Sequence, residues 1–90
     1  MMTIHKFSTR AIVTTLQLPA NAKPLSWQLQ DGNKMLWVEL DTDEPNINRV
    51  FEIFGTGNEL GEANKVFIGT VQQNSFVWHL YEIVNELAGK

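Results

Sequence analysis

Gly55-Thr56-Gly57 follows the apolar run Arg49-Val50-Phe51-Glu52-Ile53-Phe54, and there the residue types first point to chemistry. Successive backbone N–H groups in such a turn can cradle a phosphate. No lysine, helix start or full glycine-rich fingerprint follows, so a bulge or strand-end turn using glycine's freedom at positive φ is the simpler account. His79, within Val77-Trp78-His79-Leu80-Tyr81, is the best polar candidate for a pocket, although a hydrogen-bonded strand histidine has the same pattern. His5 is the other imidazole, and neither has a third ligand or a serine at recognisable spacing. Ser8, Ser26 and Ser75 lie in no nucleophile motif. Asp41, Asp43 and Glu44 offer alternating oxygens to a hard cation, yet they lack the glycine and distal Glu of a calcium loop, which favours a solvated turn.

The three tryptophans are a sharper feature, because a core built from 90 residues does not easily enclose them all. Trp27 alternates in phase with Leu25 and Leu29, which places it in the core. Trp37 is out of phase with Leu36, Val38 and Leu40, which places it outside or at an interface. Val50 and Phe54 share a face with Glu52, away from Phe51 and Ile53.

The elements that must position these groups are short and extended. Residues 4–7 and 11–18 are β-branched strand candidates, and Pro19 closes the second. The connection 19–24 carries two prolines, which lack ladder donors. Runs 25–30 and 35–41 flank Asp31-Gly32-Asn33-Lys34 and form a hairpin, after which 41–48 is an acidic surface loop. Residues 49–54 are a further strand, 58–65 a polar loop, and 66–71 with 76–81 a second hairpin around Gln72-Gln73-Asn74-Ser75. Beyond Tyr81 the spacing of Ile83, Val84 and Leu87 turns helical and Gly89 is a plausible stop, predicting a short docked helix over 83–89. The fold class expected is therefore all-β and mainly antiparallel: one domain over residues 1–90, a small sandwich or barrel of about seven short strands with a C-terminal helical segment.

Composition bounds the function. Ten acidic against seven basic residues give a net charge of −3, and no basic cluster exists to neutralise phosphates, so no nucleic acid duplex is expected as a ligand. The absence of cysteine excludes disulfides and thiolate metal sites. Residues 1–6 contain no apolar stretch of signal-peptide length, and no run approaches the ~18 apolar residues of a membrane helix, so a cytosolic protein is expected, with no membrane partner. Without staples so short a chain has a thin stability margin, and a homo-oligomer is expected to supply the missing burial.

Taken together, Ile4-His5-Lys6-Phe7, the segment from Leu18 to Gln30, Leu36-Trp37-Val38, Arg49-Val50-Phe51, Ile53-Phe54-Gly55-Thr56-Gly57, Phe67-Ile68-Gly69-Thr70-Val71-Gln72 and Val77-Trp78-His79-Leu80-Tyr81-Glu82 resemble an uncharacterised family of small phage and prophage proteins. Members of that family end near the Trp-His segment, so residues 83–90 are a departure from its pattern. The resemblance implies no activity; it implies an accessory gene product in a bacterial cytosol. The expectation is a non-enzymatic, counter-defence or host-takeover protein. It would sequester a small host ligand such as a nucleotide, or block a host protein, through Trp37, Phe54, Gly55, Thr56, Gly57 and His79. A structural or assembly role in the virion is the alternative. No catalytic residue, metal or cofactor is expected.

Overall fold

The computed structural model describes residues 1–84. Seven strands follow one another: β1 (Met2–Ser8), β2 (Val13–Pro19), β3 (Lys23–Gln30), β4 (Asn33–Asp41), β5 (Asn46–Gly55), β6 (Lys65–Gln73) and β7 (Phe76–Ile83). They build a three-stranded sheet in the order β1-β4-β3 and a four-stranded sheet in the order β2-β5-β7-β6, with every pairing antiparallel.

Alternation along each strand decides which side chains meet between the sheets. Leu36, Val38 and Leu40 of β4 face Leu18, Phe51, Ile53, Val71 and Leu80 of the other sheet and form one core with Trp27. Phe51, Leu18, Leu36, Leu80 and Val38 are fully buried, each contributing on the order of 1.5–3 kcal/mol through area removed from water. On one side β3 packs closely on β6, where the Cβ of a residue replacing Gly69 would come within 3.4 Å of the Trp27 Cβ. On the other side β1 and β2 leave a seam of about 220 Å³ lined by His5, Phe7, Gln17, Pro19 and Asn46 among others.

The first hairpin turns on two residues, Asp31 at φ +52° and Gly32 at φ +81°, the backbone that an Asp-Gly pair supplies at least cost. Two polar clusters tie the ends. The buried Trp27 indole donates to Thr9 Oγ1 at 2.9 Å, and Thr9 in turn donates from both its hydroxyl and its backbone N–H to the Lys34 carbonyl. At the far ends of β5 and β7, Arg49 makes a bidentate pair with Glu82 (2.7 and 2.8 Å) while its Nη1 donates to the carbonyls of Pro19, Ala20 and Ala22.

Three expectations are corrected. The C-terminal helix over 83–89 is absent among the described residues: Ile83 is the last residue of β7, pairs with both Val50 and Lys65, and is followed by Val84 donating to the Asn64 carbonyl at 2.7 Å. Residues 85–90 lie outside the described residues. A helix of two turns is marginal by itself, whereas β7 is flanked on both sides by strands that accept its ladder. Leu25, expected in phase with Trp27, falls instead where the β3 register shifts between Pro24 and Ser26, and it is 44% exposed. The acidic loop is shorter than expected, because β5 already begins at Asn46.

Candidate functional site

Three loops converge at one end of the sandwich: the β3–β4 turn, the β6–β7 turn and the segment after β5. Gln73 Nε2 donates to the Gly32 carbonyl at 2.9 Å and links the two hairpins. Phe76 and Trp78 stand two residues apart on β7, hence on one face, and that face is the one that carries Leu80 into the core. Their rings stack at 5.5 Å between centroids and 18° between planes. Trp78 is half-buried at the rim of the core, while Phe76 is 59% exposed, so the apolar interior emerges here as an aromatic step.

Gly55 lies opposite Trp78 in the β5–β7 register, and a Cβ on it would stand 3.3 Å from the indole. Glycine therefore lets β5 lie against the ring. Lys34 from the facing sheet holds its ammonium 5.4 Å from the Trp78 ring centroid, a cation–π distance. The cleft so formed measures about 460 Å³ and exposes Thr56, Asn58 and Ser75 beside the aromatic step. Its volume lies in the range of small-molecule sites, ~300–1,000 Å³. Stacking on a flat ring, the Ser75 hydroxyl and the Asn58 amide are what it offers, since the Thr56 hydroxyl is taken by Val77 and His79 and Lys34 stands outside the lining.

The six residues expected to bind do not form one site. Gly55 and Thr56 line the cleft, and Gly57 follows at φ +92° in a turn. That turn is no phosphate cradle, because Thr56 N–H already donates to the Val77 carbonyl and Asn58 N–H to the Gly55 carbonyl. His79 lies on the opposite face of β7 from Trp78, and both ring nitrogens sit 2.9 Å from threonine hydroxyls, Nε2 from Thr56 and Nδ1 from Thr70. The imidazole is a strap between β6, β7 and the β5 end, with neither nitrogen left over. Phe54 shares that outer face, pairs with His79 in register, is 7% exposed and meets Tyr81 edge-on at 5.6 Å. Trp37 is on the outside of the other sheet, between Lys6 and Ser26.

Phe76, Lys34, Asn58 and Ser75 escaped the sequence reading. Phe76 alone left a signal there, its i, i+2 phase with Trp78. In the acidic turn, Asp41 and Asp43 accept from the Met1 ammonium at 2.8 and 2.9 Å. That ammonium, with the Asp43 backbone N–H, holds the Asp41 carboxyl below its ordinary value, and the two carboxylates raise the ammonium in return. Among the described residues no cluster of three or more His, Cys, Asp or Glu is placed to hold a metal, and no helix is long and apolar enough to cross a membrane.

A family described only as a domain of unknown function, DUF7352, matches residues 1–88. The chain belongs to this family. The match runs well past the Trp-His segment, so most of residues 83–90 are part of the family pattern and not the departure expected of them. No curated protein and no solved structure matches the chain.

Proposed function

We propose that the DUF7352 domain is a non-enzymatic binding protein of phage or prophage origin that sequesters a flat, anionic small molecule of the host, such as a nucleotide signal, and so serves counter-defence or host takeover. The observation that carries this reading is the exposed Phe76–Trp78 stack beside the Lys34 ammonium, open to a cleft with hydroxyl and amide groups. A base needs an aromatic platform, which the cleft holds, and its phosphate needs a cation, which Lys34 brings to the Trp78 ring from outside the cleft's lining. The phage origin draws on the segments quoted above, from Ile4-His5-Lys6-Phe7 to Val77-Trp78-His79-Leu80-Tyr81-Glu82.

Calorimetry and indole fluorescence against a panel of linear and cyclic nucleotides test it. A ligand is expected to give saturable heat and to quench Trp78. Phe76→Ala should weaken that ligand by roughly five-fold or more, since stacking one base is worth ~1–3 kcal/mol. Absence of heat and quenching for every member at millimolar concentration overturns the reading. The second reading, a structural or assembly part of the virion, is favoured by the uncovered apolar residues Met2 and Ile4 on an edge strand. Mass spectrometry of purified particles separates the two, because a virion part is found there and an early-expressed inhibitor is not.

A further inference from the structure

The two sheets present four edge strands: β1 and β3 in one, β2 and β6 in the other. Edge strands invite pairing with another chain unless proline, a bulge or an exposed charge blunts them. Three of these are blunted. β2 ends in Pro19, β3 carries Pro24 and a register shift between Pro24 and Ser26, and β6 shifts register between Phe67 and Gly69. β1 has neither a proline nor a register shift, and its pairing with β4 runs unbroken from Met2↔Asp41 to Ser8↔Met35.

The side chains of β1 strengthen the contrast. Met2 and Ile4 are 59% and 55% exposed and line a shallow groove with Thr3 and Glu39. The lysine of this strand, Lys6, stands past its middle, with Nζ 2.6 Å from Gln30 Oε1, so the Met2–Ile4 half carries no side-chain charge of its own. The charges at the two ends are opposite. Asp41 and Asp43, with Glu44 next in sequence, cluster about the Met1 ammonium at the start of β1, whereas Lys6 and Arg10 lie toward its finish.

We propose that β1 is a homodimerisation edge that takes β1 of a second copy of this chain, antiparallel across a two-fold axis, to give one continuous six-stranded sheet. A two-fold axis normal to the sheet keeps outward residues outward, and centring it on Ile4 sets Ile4 against Ile4 of the second copy. The same register lays Met2 beside Lys6 of the second copy, so the acidic end of each β1 meets the basic end of the other. Charge complementarity thus selects a second copy in the antiparallel sense over a parallel one. The dimer edge lies on the sheet opposite β7 and is independent of the aromatic cleft.

Light scattering and sedimentation on the wild-type chain at about 100 μM, in low and high salt, test the proposal. The expected mass is twice the 10.2 kDa of one chain, falling toward one chain as salt rises. Ile4→Lys should give a monomer with an unchanged circular dichroism spectrum, and Ile4→Cys oxidised with copper phenanthroline should give a covalent dimer, while Phe67→Cys on the blunted β6 edge should not. A wild-type monomer at that concentration, a dimer that survives Ile4→Lys, or a mass growing beyond two chains overturns it.

Discussion

Thr9 shows how much one small residue can decide. It is fully buried, accepts the Trp27 indole proton and donates to Lys34, so its hydroxyl is the acceptor that lets a large indole sit 4% exposed in the core. Thr9→Val keeps the shape and leaves the indole N–H unpaired, which should cost about 1–3 kcal/mol in urea unfolding, whereas Thr9→Ser should recover most of it. A Thr9→Val chain as stable as wild type would refute that role. Asp41 poses a different question, of charge. Its carboxyl lies below its ordinary value, so its contribution to stability is present above that value, near 3.8, and is lost as pH falls through the lower folded value. The Met1 ammonium lies above its own ordinary value, near 8.0, so its contribution holds below that pH and is lost as pH rises through the higher folded value. Acetylating the amine should therefore move the Asp41 carboxyl titration, followed by carbon-13 NMR, back toward 3.8; an unmoved titration would show that the ammonium is not the cause.

At the scale of elements, Arg49 fastens β5 to β7 and to the β2–β3 connection through the five hydrogen bonds of its guanidinium. Arg49→Leu leaves Glu82 about as buried and without its partner, and should cost ~3–5 kcal/mol. The double change Arg49→Leu with Glu82→Leu should regain part of it, because only the three carbonyls then lack their donor; a single variant within 1 kcal/mol of wild type on this scale would refute the clamp. The strands themselves were legible in the chain, since period-two alternation in β3 and β4 and the Asp-Gly turn each point to one local answer. The ion pair was not, because Arg49 and Glu82 lie 33 residues apart and nothing local joins them. The β7 terminus misled for the same reason: the spacing of Ile83 and Val84 fits a helix, and what overrides it is a ladder with Val50 and Lys65, far off in sequence. Among the binding candidates, Gly55 and Thr56 were found from a local motif. Lys34 comes from the facing sheet, a placement only the folded pair of sheets creates.

Taken as a whole, the molecule is a slab, 40 × 37 × 17 Å along its principal axes, in which most contacts join distant parts of the chain. Such topologies fold in milliseconds to seconds, so stopped-flow refolding followed by Trp27 emission should fall in that range, and a microsecond phase accounting for the whole amplitude would contradict it. The packing is also lopsided: β3 lies tightly on β6, whereas β1 and β2 part around a small opening. A bivalve is built this way, with a ligament on one rim and a gape on the other. Breathing motions should accordingly start at the gape, and amide protons of β2, and of β1 in the Ile4→Lys monomer, should exchange ahead of those in β5 and β7, whose neighbours hold them on both sides.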